Sequence, residues 1–145
     1  MNSVKKCIEK KGGKIISVRS TDSIDKALGL MRDNRVRAVL VIDEGHLAGI
    51  VSQGDCAIKV LLPNLDPKTT LIESIMSKNP FTITVKNTME ECMAIMVHKR
   101  IRHLPVLEQG KVVGVVSIGD IVQNIMELQD SQIKFLETYI KGHGA

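Results

Sequence analysis

The chain has 145 residues, 43% of them hydrophobic and 25% charged, which excludes a disordered chain and leaves room for one domain or two very small repeats. No apolar run approaches the roughly 18 residues of a membrane span, and the opening MNSVKKCIEKKGGK has no apolar core of a secretory signal. The net charge of +4 is local, because Lys5, Lys6, Lys10, Lys11 and Lys14 face one acid, Glu9, while residues 15–145 balance to zero.

That distribution disfavours a nucleic-acid surface, which needs basic residues along a groove and aromatics for stacking; here there are no Trp, one Tyr and two Phe. Residues 1–13 read as a leader helix with Val4, Cys7 and Ile8 as its apolar stripe and the lysines as its solvated face. A presequence is the weaker reading, since the segment is short and poor in Arg and Ser. Cys7, Cys56 and Cys92 are odd in number and lack metal-ligand spacing, so neither a disulfide framework nor a zinc site is expected. A reducing, cytoplasmic compartment fits them.

Next in the chain, Ile15–Val18 predicts a strand, and Ser23 starts a helix with the stripe Ile24, Ala27, Leu28, Leu30 and Met31. Two β-rich runs follow, Ala38–Ile42 and Leu47–Val51, around the Gly-containing turn Asp43-Glu44-Gly45. A further helix begins at Ser52 and ends before Pro63 and Pro67. Leu71–Met76 predicts a short helix, and then the pattern starts again. Phe81–Val85 is the strand, Thr88 with Glu91 a capping box, and Met89, Cys92, Met93, Ile95 and Met96 the stripe. His103–Leu107 and Val112–Val116 flank Glu108-Gln109-Gly110, and a last helix starts at Ser117. Its near-helical spacing runs through Ile118, Ile121, Val122, Ile125, Leu128, Gln132, Phe135, Leu136 and Tyr139 to Gly142. A helix this long on so small a domain needs a second chain over its apolar face, so a homodimer is expected.

The recurrence is an internal duplication. At an offset of 65, residues 36–55 lie over 101–120 without a gap, and ten of 25 positions between Met31 and Asp55 are identical to their mates. The organisation is a leader (1–13), a first β-α-β-β-α repeat (14–66), a linker (67–74), a second repeat (75–131) and a helical tail (132–145). The expected class is α/β (α+β), with the two repeats packed pseudo-symmetrically.

The sharpest motifs are GIVSQGD (49–55) and GVVSIGD (114–120), each at a strand-to-helix junction. Ser-x-x-Asp there is nearly a capping box, which accounts for Ser52, Asp55, Ser117 and Asp120 by local structure alone. It does not account for Gly54 and Gly119, which cost about 1 kcal/mol each relative to Ala in a helix. Open backbone N–H groups and a Ser hydroxyl at a helix start suit a phosphate, and an acid one turn later suits ribose hydroxyls. Together they make a nucleotide cradle.

The repeat ending in G-h-h-S-x-G-D, most completely IMSKNPFTITVKNTMEECMAIMVHKRIRHLPVLEQGKVVGVVSIGD (75–120), resembles the cystathionine-β-synthase (CBS) domain, and the pair resembles a Bateman module. The first repeat departs from the pattern, with no Pro opening its strand and Leu40 where Pro105 stands. The resemblance implies a non-catalytic binding module for AMP, ADP, ATP, NAD(H) or S-adenosylmethionine, with two clefts between the repeats. It implies that Ser117 and Asp120 serve one cleft with Ile16 and Ser17, and that Ser52 and Asp55 serve the other with Asn79, Phe81 and Thr82. Ile50 and Val115 would line the adenine pockets. A basic residue at the start of the second strand is His103 in one repeat but Ala38 in the other, with Arg37 and Arg102 beside them. The clefts are therefore unequal, and the one reached by His103 and Arg102 is expected to take the more highly charged ligand or to fill first.

Other features keep plain readings. Cys56 sits near a helix start, where a thiol pKa falls, but a buried inert thiol is the stronger reading. His46, His98 and His143 fit surface positions, and the methionines fill helix stripes. No nucleophile with its base, no G-x-G-x-x-G and no P-loop is present, so catalysis is not expected. The functional expectation is a sensor in signal transduction that alters an unidentified effector protein in trans. The alternatives are a dimeric scaffold with vestigial clefts and nucleic-acid binding through the N-terminal lysines.

Overall fold

The computed structural model describes residues 3–143. Residues 1–2 and 144–145 of the expected leader and tail lie outside the described residues, as does the side chain of His143.

Each repeat is built on a hairpin. β2 (Ala38–Asp43) pairs antiparallel with β3 (His46–Ser52), and β6 (His103–Glu108) with β7 (Lys111–Ser117). The turns place Glu44 (φ 48°) and Gly45 (φ 80°), then Gln109 (φ 51°) and Gly110 (φ 78°), in two consecutive left-handed conformations. That is the turn whose twist matches the flanking strands, and Gly takes its second position without a Cβ clash. A bulge recurs at Val41/Ile42 and Val106/Leu107, so the duplication extends to backbone detail.

Ahead of each hairpin lies a helix, α2 (Ile24–Asn34) or α4 (Met89–Lys99). Ser23 Oγ and Thr88 Oγ1 accept from the Lys26 and Glu91 amides, and Glu91 returns a bond to complete a capping box at Thr88. The strands before these helices are shorter than the apolar runs predict. β1 (Ser17–Val18) and β5 (Ile83–Thr84) hold two residues each and run parallel to β2 and β6. Ile15 is 39% and Phe81 49% exposed, so the front of each run serves a surface and not the core.

The Leu71–Met76 segment contains a single 3-10 turn, Ile72–Ser74, followed by β4 (Ser77–Lys78), which adds to the outer edge of β3. Ile72 and Ile75, assigned from sequence to the linker and the second repeat, are buried in the first core beside Val18, Met31, Val39, Val51 and Val60. The leader does the same for the second repeat. α1 (Val4–Lys10) sends Val4 and Ile8 into the core of Ile83, Met89, Cys92, Met96, Leu104 and Val116. The two segments are structural counterparts: Val4 donates its amide to the Asn87 carbonyl (3.1 Å), and Ile72 donates to Asp22 (2.9 Å). Isolated bridges Ser3–Thr88 and Ser23–Leu71 repeat the match. This match is at an offset of 68 while the hairpins match at 65, so the leader holds three more residues than its mate. The extra length replaces a 3-10 turn and a strand by a two-turn helix.

The sheets have orders β1-β2-β3-β4 and β5-β6-β7. β3 runs into α3 (Gln53–Cys56) and a π-helical turn, Ala57–Leu61, which stops before Pro63. β7 runs into α5 (Ile118–His143), a helix of 26 residues. None of the helices among the described residues is long and apolar enough to cross a membrane.

A Cβ at Gly49 would lie 2.6 Å from the Ser77 carbonyl oxygen, whereas one at Gly114 would meet the end of the Ile8 side chain at 2.5 Å. A carbonyl held in a ladder yields less readily than a flexible side chain. Urea unfolding should therefore show Gly49→Ala losing about 1–3 kcal/mol and Gly114→Ala losing less.

Candidate functional site

The two strand-to-helix junctions have the same local geometry. Ser52 Oγ accepts from the Asp55 amide (3.1 Å) and Asp55 Oδ2 from the Ser52 amide (3.0 Å). Ser117 Oγ accepts from the Asp120 amide (3.2 Å) and Asp120 Oδ2 from the Ser117 amide (2.8 Å). Both serines and both acids are thus helix caps in their own right. The glycines between them are not explained by packing. A Cβ at Gly54 would find only Ser52 Oγ, at 3.7 Å, and one at Gly119 only Ser117 Oγ, at 3.6 Å. Neither position has positive φ. Each glycine leaves bare backbone beside the acid.

Around the first junction lies a cleft of about 460 Å³, within the range of small-molecule sites. The first repeat supplies Arg37, Ile50, Ser52, Gln53, Gly54 and Asp55. Ser77, Pro80 and Phe81 come from the start of the second repeat, at β4 and ahead of β5, and Arg100, Ile101, Arg102 and His103 from the end of α4 and the start of β6. Of the residues expected here, Ser52, Asp55, Ile50 and Phe81 come together, whereas Asn79 and Thr82 do not line the cleft. Both are exposed, and Asn79 sits at φ 50° in the turn leaving β4. The structure puts Arg37, Arg102 and His103 together with Asp55. Lys99 Nζ lies 4.9 Å from the Phe81 ring centroid, a cation–π contact that steadies the exposed ring.

The second junction is covered differently. Lys11 Nζ donates to Asp120 Oδ2 (2.8 Å) and to the Val115 carbonyl (2.7 Å), and Lys10 pairs with Glu127. These two lysines are therefore bound to the second repeat and do not belong to a uniformly solvated face. The cavity beside Asp120, about 410 Å³, is lined by Lys6, Cys7, Lys10, Lys11, Met89, Gln123, Asn124 and Glu127. Ile16 and Ser17, expected across from Asp120, are absent from that lining, as are Ser117 and Val115.

Burial, and then the Lys11 charge, lower the His103 pKa from its ordinary 6.5, so its ring is neutral at pH 7. The cationic charge of the first cleft accordingly rests on Arg37, Arg100 and Arg102, all exposed at its rim. Burial, helped by the neighbouring Asp55 carboxylate, pushes the Cys56 thiol up to about 11, and burial raises Cys92 to about 11. Here desolvation outweighs any helix-start effect. Among the described residues no group of three or more His, Cys, Asp or Glu is placed to hold a metal ion.

The family model of the CBS domain matches residues 9–61 and 72–127. The chain belongs to the CBS domain family. It is 30% identical over 126 residues to the mitochondrial CBS domain-containing protein CBSX3 of Arabidopsis thaliana, over 83% of this chain and 61% of that protein. The match to CBSCBSPB2 of the same plant spans only 20% of that relative. Among solved structures, a CBS-domain protein from Burkholderia ambifaria MC40-6 is 36% identical with a TM-score of 0.83, covering 87% of this chain and 95% of that one. The CBS domain pair of MJ0100, in complex with 5′-methylthioadenosine and S-adenosyl-L-methionine, is 27% identical with a TM-score of 0.77, covering 88% and 98%.

Sequence reasoning left Gln53, Ser77, Pro80, Arg100 and Ile101 out of the site. Arg100 had a signal: it repeats Arg35 at the end of the preceding helix, and both adopt left-handed φ there, 56° and 55°. Such a residue is placed by backbone geometry and not by an apolar pattern. Ser77 and Pro80 had none, since only tertiary packing lays β4 beside β3. With Cys56 and Cys92 buried and Cys7 half-buried, a thiol reagent at neutral pH should label Cys7 first. Mass spectrometry should find the other two labelled only after denaturation.

Proposed function

We propose that the chain is a non-catalytic regulatory module that binds a phosphorylated adenosyl ligand in the cleft at Ser52 and Asp55. The observation that carries this reading is that cleft: a capped acid, bare backbone at Gly54 and three arginines converge on one hollow from both repeats. The Asp55 carboxylate holds ribose hydroxyls, Phe81 and Ile50 take the adenine, and the arginines pair with phosphate oxygens, for which their planar forks are suited. The rim favours AMP, ADP, ATP or NAD(H) over S-adenosylmethionine, whose sulfonium brings a positive charge to a positive site. The solved MJ0100 pair binds 5′-methylthioadenosine and S-adenosyl-L-methionine, which supports an adenosyl ligand on this fold; the preference for a phosphorylated one rests on the arginines.

We further propose a homodimer acting on an effector in trans, in the cytoplasm. Val122, Met126, Ile133, Phe135, Leu136 and Ile140 on α5 are at least half exposed, as are Ile58, Leu61 and Leu62 after α3. This apolar surface also supports the second reading, a scaffold whose clefts are vestigial.

Calorimetric titration with ATP separates the two. Asp55→Asn should weaken binding about tenfold to a hundredfold, the worth of hydrogen bonds to a charged acceptor. Gly54→Ala should weaken binding while leaving the unliganded protein at least as stable, because Ala is the better helix former. A scaffold would show no binding at all.

Acid should strengthen that binding. A bound phosphate favours the imidazolium that burial and Lys11 disfavour in the free protein, so binding takes up a proton. Affinity should rise as pH falls from about 8 to about 6, and His103→Gln should flatten the profile.

A further inference from the structure

The two junctions share one capping geometry, yet only Asp120 carries a lysine from a distant part of the chain. Lys11 bonds two acceptors at once, Asp120 Oδ2 and the carbonyl of Val115. By the duplication Asp120 is the mate of Asp55, the acid assigned above to ribose, and Val115 is the mate of Ile50. In the first repeat the outer edge at Ile50 is taken by Ser77 of β4. Asp55 has a lysine partner too, but Lys59 lies on its own helix at 3.5 Å from Oδ1 and turns to the Ile75 carbonyl (3.1 Å). It is absent from the lining of the first cleft. Among the described residues no strand covers Val115 in the second repeat, and the leader's extra length carries an ammonium group across that edge onto the acid.

We propose that Lys11 is an intramolecular latch that occupies the Asp120 carboxylate, the mate of the ribose-binding acid Asp55, so that the chain binds one adenosyl ligand, at Asp55, until the latch is released. The proposal rests on the reading of Asp55 above. A tethered cation competes at high effective concentration; its ammonium joins a part-exposed Lys11 to a more sheltered Asp120, with side chains 41% and 17% exposed, and caps the β7 edge as well as gating the cleft. α1 itself is different, because Val4 and Ile8 are core residues and removing the leader would disturb the second repeat.

The test uses the full chain with ATP as probe and native mass spectrometry for stoichiometry. Wild type should bind one ATP per chain and Lys11→Gln two, with Lys11→Gln/Asp120→Asn returning to one. Two ATP on wild type, or one on Lys11→Gln, overturns the latch. A second readout needs no ligand: Lys11 should be acetylated more slowly than Lys5, and Asp120→Asn should abolish the difference. Equal rates in wild type overturn the latch whatever the binding result. No ATP on either protein with Lys11 still protected overturns the nucleotide reading, and the latch with it, leaving Lys11 as edge cover.

Discussion

The outer edge of β3 and of β7 is the constraint on which the rest of the molecule depends. Each repeat closes with a strand whose partner covers one side only, and the other side presents backbone groups that need partners. Leu40 gives its amide to the Ile16 carbonyl and Pro105 has no amide to give, so Ile50 and Val115, which lie opposite them, turn their own groups outward. The first repeat answers with β4, the second with Ile8 packed on Gly114 and Lys11 on Val115. Both answers come from the segment before the repeat's partner, which interlocks the two units.

The same edges lead into the junctions where the chemistry is concentrated. A capping box fixes the acid by bonds to its own backbone, so Asp55 and Asp120 are oriented before any ligand arrives. The fold therefore uses these side chains structurally and leaves their remaining acceptor capacity for another donor. At Asp120 that donor is already Lys11. Two copies of one motif thus stand in different chemical states, through a difference of three residues in a segment remote from either motif.

Charge adds to that inequality. His103 faces the first cleft while feeling Lys11 and Asp120 of the second, and its neutrality at pH 7 leaves the arginines to set the cleft's potential. Those arginines sit at the rim, where their fields are screened by salt, so the cleft's positive potential weakens as ionic strength rises.

The duplication, the two hairpins, the helix stripes and the capped junctions were legible in the residues, because each is a local pattern with its own period or spacing. Ile50, Ser52 and Asp55 lie in one local motif for the same reason, whereas Phe81 and the facing of the repeats came only from the CBS resemblance. The placement of Arg37, Arg100, Arg102 and His103 in one cleft was decided by how the repeats pack. The short strands, the burial of Ile72 and Ile75 in the first core and the docking of α1 in the second likewise depend on contacts between segments far apart in the chain. Lys11 is the clearest case. By composition it is one more lysine on a basic leader; only the tertiary structure, by leaving a strand edge uncovered beside a fixed acid, turns it into a specific partner of Asp120.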